Sequence, residues 1–184
     1  GGALGVEAGD PCEMDGAPEQ CALPLRQPMD SQRFTAVATG VNHSCAINTE
    51  GVLYCWGSND RGQLGSGFRE PLTPTPVMGD ARFTAVSAGR GFTCGLTKGG
   101  IVECWGADDD GQLAGRAADA TVPAPVAGTT RFVSLSSGLA HSCALSTDHL
   151  VYCWGSNSNG QLGTGAHKRS FQPAKLMFAD QDHP

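Results

Sequence analysis

Residues 54–67 read YCWGSNDRGQLGSG, residues 103–116 read ECWGADDDGQLAGR and residues 152–165 read YCWGSNSNGQLGTG. Aligned on Cys55, Cys104 and Cys153, the phrase returns every 49 residues, and Trp56, Trp105 and Trp154 keep the same step. So do Cys45, Cys94 and Cys143, and the openings RFTAV at 33, RFTAV at 82 and RFVSL at 131. A catalytic centre is usually assembled once. A phrase recurring at fixed period is an architectural unit, because stacked repeats bury faces that one repeat cannot bury alone. Three units follow: 33–81, 82–130 and 131–179.

Each unit predicts short strands. In the first, Phe34–Ala38 alternates large and small side chains, His43–Asn48 follows a turn, and Val52–Trp56 follows the next. A Pro-rich segment, PLTPTPVM in the first unit and TVPAPV in the second, supplies a short strand at its end. Three to four strands per unit, without helical periodicity, predict an all-β chain of propeller blades. Side chains alternate along a strand, so Trp56 takes the face opposite Cys55. In GQLG the leucine enters the core and the glutamine amide satisfies buried backbone groups.

The cysteines test the register. A three-residue loop, Thr49-Glu50-Gly51, sets Asn48 opposite Val52 and Cys45 opposite Cys55, with Gly51 in the left-handed slot such loops need. Lys98-Gly99-Gly100 repeats this, whereas Thr147-Asp148-His149 requires His149 to tolerate that slot or the loop to differ. Directly opposed β carbons lie about 4.5–5.5 Å apart, close to what a disulfide spans. One cross-strand bridge per unit is expected: Cys45–Cys55, Cys94–Cys104 and Cys143–Cys153. Cys12 and Cys21 share no register with the rest and are expected to close a separate loop, CEMDGAPEQC. Paired cysteines in even number point to an oxidising, extracytoplasmic compartment. Zinc fits less well, because Phe92 stands where His43 and His141 precede their cysteines, and the C-x9-C spacing is not that of zinc motifs.

Composition narrows the function. Twelve Lys and Arg against 18 Asp and Glu leave a formal charge of −6, with no basic cluster for a phosphate backbone. No apolar run approaches a membrane span, and the start GGALGVEAGD reads as a mature end left by processing. The stretch GQLGTGAHK lacks the Lys-Ser/Thr that a phosphate loop needs after its second glycine. The ADDDG turn at 107–111 has consecutive aspartates, unlike the alternating ligands of a standard calcium loop. Serine and histidine adjacent on a strand, as at 43–44 and 141–142, point to opposite faces and make a poor hydrolase pair. No catalytic, cofactor or metal residue is therefore assigned. Asn42-His43-Ser44 is a glycosylation sequon, and Thr73 and Thr75 in TPTP are candidate O-linked sites.

The segments CWGSNDRGQLGSG at 55–67, CWGADDDGQLAGR at 104–116 and CWGSNSNGQLGTG at 153–165, preceded by AVATGVNHSCAI, AVSAGRGFTCGL and SLSSGLAHSCAL, resemble the regulator of chromosome condensation repeat family. The resemblance runs from 33 to about 179. It implies a β-propeller, usually seven-bladed, that works through protein–protein contacts. Members include a nucleotide exchange factor that binds chromatin and a secreted bacterial inhibitor of β-lactamases. The paired cysteines depart from the nuclear members and favour a secreted, bacterial-type relative, so the exchange activity is not carried over.

Three blades fall short of the four to eight that close a propeller. Completion by missing sequence, by a second copy in a ring, or by head-to-tail polymerisation all remain open. LPLRQPMDSQRF before the first unit and FQPAKLMFADQ at the end resemble the strand that leads into each blade, so strands shared between neighbouring chains are expected. The organisation expected is an extension over 1–32, three repeats over 33–179 and a tail over 180–184. The expected role is a non-enzymatic, secreted or cell-surface (or periplasmic) structural subunit of an extracellular assembly, filamentous or not, or a surface protein–protein interaction scaffold, that contacts copies of itself and needs no cofactor, nucleic acid or small-molecule substrate. The alternative is a soluble binder that inhibits an extracellular enzyme. Partner contacts are expected in the variable segments 66–75, 115–124 and 164–172.

Overall fold

The computed structural model describes residues 32–67, 71–115 and 118–178. These form three four-stranded antiparallel sheets, one per repeat. The first comprises β1 (Phe34–Thr39), β2 (His43–Asn48), β3 (Leu53–Gly57) and β4 (Thr75–Pro76). The second comprises β5 (Phe83–Ala88), β6 (Phe92–Thr97), β7 (Val102–Gly106) and β8 (Ala120–Pro125). The third comprises β9 (Phe132–Ser137), β10 (His141–Ser146), β11 (Val151–Gly155) and β12 (Ser170–Lys175). Strands in each sheet lie in sequence order, so every connection joins neighbours. The sheets meet chiefly through β1, β5 and β9, and fan out from that shared edge as blades of a partial propeller.

The central hairpin has the register that the loop length dictates. Ile47 faces Leu53 and Cys45 faces Cys55, with Leu96–Val102 and Cys94–Cys104 in the second blade and Leu145–Val151 and Cys143–Cys153 in the third. Each loop is closed by a polar side chain four residues ahead. The Asn48 side-chain carbonyl accepts from Val52 N–H at 2.8 Å, Thr97 Oγ1 from Ile101 N–H at 3.1 Å and Ser146 Oγ from Leu150 N–H at 3.1 Å. Gly51 and Gly100 take φ of 85° and 75°, and His149 adopts 62° in the same slot. The third loop therefore has the same shape, and His149 carries the left-handed strain.

Two sequence expectations change. The third strand is shifted by one residue, to Leu53–Gly57 rather than Val52–Trp56, because Val52 is spent in the loop's closing bond to Asn48. More consequentially, FQPAKL does not lead into another blade. As β12 it pairs with β11 of its own sheet, Tyr152 opposite Lys175 and Cys153 opposite Ala174. The edge of β11 is the nearest unfilled row of backbone donors and acceptors, so this strand completes its own blade. Of the N-terminal counterpart at 23–34, residues 23–31 lie outside the described residues, as do Cys12, Cys21 and the tail at 180–184.

Candidate functional site: the blade boundaries and open faces

The repeated phrase builds a turn that is satisfied internally and then offers one carbonyl to the next blade. Asn59 Oδ1 accepts from Leu64 N–H at 2.9 Å, as do Asp108 Oδ1 from Leu113 and Asn157 Oδ1 from Leu162. Gln63 Oε1 accepts from Arg61 N–H at 2.9 Å, Gln112 Oε1 from Asp110 at 2.8 Å and Gln161 Oε1 from Asn159 at 2.9 Å. Held this way, Leu64, Leu113 and Leu162 are fully buried. The main-chain carbonyl of Gln63 then accepts from Trp105 Nε1 at 2.9 Å, and that of Gln112 from Trp154 Nε1 at 3.0 Å. Each tryptophan thus reads the preceding blade. Gly65 makes room for this, since a Cβ there would meet the Trp105 ring and Val77 at 2.8 Å. Ala114 holds the equivalent place in the second blade with φ of 49°.

Next to that contact lies a buried polar relay. Thr93 Oγ1 donates to the Gln63 carbonyl at 2.8 Å, and His43 Nε2 lies 2.8 Å from the same hydroxyl. A hydroxyl has one proton to give, so Nε2 is the donor and His43 is the neutral Nε2–H tautomer. Its Nδ1 is buried with no hydrogen-bond partner among the described residues. Burial holds the imidazole down at about 4. His141, at the same place in the third blade, is half-buried and is also lowered by burial.

At the rim, Arg61 of the first blade forks onto Asp119 of the second, at 2.6 Å from Nε and 2.9 Å from Nη2, and reaches Asp109 at 2.9 Å. The guanidinium holds the Asp119 carboxyl below the usual range. Arg169 of the third blade lies 3.6 Å from Asp110 and donates to the Asp109 carbonyl. The acidic turn is thus clamped by arginines on both sides. Among the described residues, no group of three or more His, Cys, Asp and Glu could hold a metal ion.

Cys45–Cys55, Cys94–Cys104 and Cys143–Cys153 are disulfide-bonded, with paired Cα atoms 4.1 Å apart. They lie on the face turned to the following blade, where Cys94 Sγ lies 3.8 Å from Ser142 Oγ. The first two pairs are fully buried there. Asn42 is exposed, whereas the Ser44 of its sequon is buried; Thr73 is exposed, and Thr75 pairs opposite Cys55. The variable segments do not stay loops. Residues 115–124 supply most of β8 and the Asp119 carboxylate, and 164–172 supply Arg169 and the start of β12.

Two faces differ from their internal copies. Phe83 and Phe132 are 4 % and 3 % exposed, but Phe34, at the same place in the first blade, is 47 % exposed. Val86 and Leu135 are packed against the core, while Val37 is 71 % exposed. Trp105 and Trp154 are fully buried, and Trp56 is half-buried. On the other side of the stack, Leu145, Val151, Cys143, His141 and Leu176 of the third blade are each partly open, where Ile47, Leu53, Cys45, His43 and Val77 of the first are covered. A shallow cleft of about 370 Å³ also opens where the β1–β2, β5–β6 and β9–β10 turns meet, lined by Val41, Leu139 and small residues.

Stacked four-stranded antiparallel blades, joined by tryptophan-to-carbonyl contacts at fixed period, define a β-propeller repeat protein. The chain belongs to the Regulator of chromosome condensation (RCC1) repeat family. Models of that repeat match 34–63, 83–112 and 132–161, and in a second version 50–96 and 148–183, together more than half of the chain. It is 36% identical over 75 residues to the E3 ubiquitin-protein ligase highwire of Drosophila melanogaster, covering 39% of this chain and 1% of that protein. Among solved structures it is similar to Prp20p of Saccharomyces cerevisiae, with TM-score 0.73 and 19% identity over 81% of this chain and 39% of that one. It is likewise similar to human WBSCR16, with TM-score 0.71 and 23% identity over 79% of this chain and 40% of that one. At these identities the structural likeness shows the fold. The chain spans about two fifths of the solved propellers it matches.

The inter-blade bonds are what sequence reasoning missed. Their signal was present in the fixed offset of 42 residues from each Gln to the Trp of the following unit, but nothing in one unit marks a backbone carbonyl as the acceptor.

Proposed function

We propose that this chain is a non-enzymatic, protein-binding propeller segment that works in an oxidising, extracytoplasmic setting as a structural subunit of an assembly. The observation that carries this reading is the disulfide that staples each of the three blades. Staples of this kind persist outside reducing compartments, and no helix among the described residues is long and apolar enough to cross a membrane. Prp20p is described by its binding to Gsp1p and histones, which supports protein rather than small-molecule partners for this fold. The division into an extension at 1–32, repeats at 33–179 and a tail at 180–184 belongs to the same proposal, as do sugar at the exposed Asn42 and at Thr73 and Thr75 and a bridge between Cys12 and Cys21.

A soluble binder of an extracellular enzyme is the second reading. It is favoured by the exposed Val41 and Leu139 beside the cleft. Electron microscopy of the native, unreduced protein tests the choice. Ordered multimers are expected, whereas uniform single particles would overturn the assembly reading and leave the binder.

A further inference from the structure

We infer that the charged residues at the rim fix the order in which the blades stack, by making each wrong neighbour repulsive. The buried part of a boundary distinguishes little. Trp105 donates to the Gln63 carbonyl and Trp154 to that of Gln112, over turns whose Leu64 and Leu113 are buried alike. Thr93 and Ser142 bring a buried hydroxyl to the same place. One buried bond does favour the native order: Ser137 N–H donates to Ser87 Oγ at 2.8 Å, where the first blade has Ala38. By the other contacts, the third blade would sit on the first as well as on the second.

The rim separates the two boundaries by sign. Arg61 and Asp110 hold the same place in successive turns, 49 residues apart. Asp119 and Arg169 also share a place, each standing one residue ahead of its blade's last strand, β8 or β12. Arg61 bonds Asp119 at 2.6 and 2.9 Å, and Arg169 lies 3.6 Å from Asp110. The second pair is the first with its charges exchanged. Two turns can meet two such lead residues in four ways. The native two attract, and the other two set Arg61 against Arg169 or Asp110 against Asp119. The first wrong pairing puts the third blade on the first and leaves residues 82–130 out of the stack. The second puts the second blade of one copy on the second blade of another. Both native pairings lie between described blades.

These side chains are more than a third exposed, so their attraction adds little to the folded chain. Their effect is on a choice between boundaries that the buried contacts weigh almost equally. There a reversed sign counts twice, as attraction lost and repulsion gained. Telling similar partners apart takes an element that repels the wrong one, and salt weakens such an element when it is exposed.

Charge-exchanged full-length chains with intact disulfides test this. Arg61→Asp with Asp119→Arg keeps an opposite pair at the first boundary but leaves both turns acidic and both lead residues basic, so all four pairings attract. Adding Asp110→Arg and Arg169→Asp restores the sign rule in mirror form. After dilution from denaturant, a blade left out of the stack is read as protease cleavage within 82–130, and a blade taken from another copy as a dimer on size exclusion. The twofold variant is expected to give about three times as much of these products as the unaltered chain, or more, and the fourfold variant no more than the unaltered chain. Sodium chloride should raise the products of the unaltered chain and leave those of the twofold variant unchanged. A twofold variant that refolds as faithfully as the unaltered chain, or a fourfold variant that errs as often as the twofold one, overturns the proposal. Should the exchanged chains lose their native circular dichroism, salt decides alone: an unaltered chain whose products do not rise with salt overturns it.

Discussion

His43 donates its only ring proton to Thr93, 2.8 Å away in the next blade, and Thr93 passes its own to the Gln63 carbonyl. Protonation at Nδ1 would leave that bond in place, but burial disfavours the charged ring, so the first boundary is sensitive to acid. Above pH 6.5 the ring is neutral in both folded and unfolded chains and the boundary is at full strength. As pH falls from 6.5 through about 4, the unfolded chain takes up a proton that the folded chain refuses. The expected loss is about 3 kcal/mol. Denaturant unfolding at stepwise pH should show it, and His43→Phe, which copies the buried Phe92, should flatten most of the dependence. The lowered His141 adds a smaller loss of the same sign.

The indole donors should matter by burial. Trp105→Phe removes the bond to Gln63 and leaves a gap over Gly65, at a cost of about 2–4 kcal/mol. Trp56→Phe, at the half-buried copy, should cost about half as much or less. Equilibrium unfolding midpoints of the two variants check the ratio.

Reduction should proceed in order. Each ten-residue span closed by a bridge contributes about 3 kcal/mol in the chain-entropy account. Cys45–Cys55 and Cys94–Cys104 lie under a following blade, while Cys143 is partly open. Limiting reductant followed by alkylation should therefore label Cys143 and Cys153 first, as read by peptide mass. Equal labelling of all three pairs would contradict the burial argument.

His149 at φ of 62° occupies the slot that glycine fills in the other two hairpins. Exchanging it for glycine should raise stability by about 1 kcal/mol, since the left-handed conformation costs an L-residue about that much. Thermal unfolding of His149→Gly is the measurement.

Arg61→Ala should do little by comparison. The fork is well formed, but its partners are more than a third exposed, and such pairs contribute about 1 kcal/mol or less. The effect should shrink further in high salt, as unfolding curves at two ionic strengths would show.

Much of this fold was legible because it is local. Gly51 fixes the hairpin loop, the loop fixes Cys45 opposite Cys55, and the period carries that register through all three blades. The glutamine's role in its own turn was readable for the same reason, as Gln63 reaches a backbone N–H only two residues away. The boundaries were not. Trp105 finds its acceptor 42 residues back and Arg61 its carboxylate 58 residues ahead, and both pairings exist only once blades have stacked. The ADDDG turn shows the difference well. Its consecutive aspartates were legible as unlike a standard calcium loop, but not that arginines of both neighbouring blades supply the positive charge they face. The fate of β12 was misjudged because sequence likeness between linking segments does not say which sheet edge is nearer.

Since each seam is built from parts that recur at constant spacing, length in this protein is quantised. Excising residues 82–130 would join Ala81 to Arg131 in place of Arg82, and would bring Trp154 over Gln63 and Ser142 beside His43. A gene of this kind can shed or duplicate a whole module without devising any new fit between neighbours.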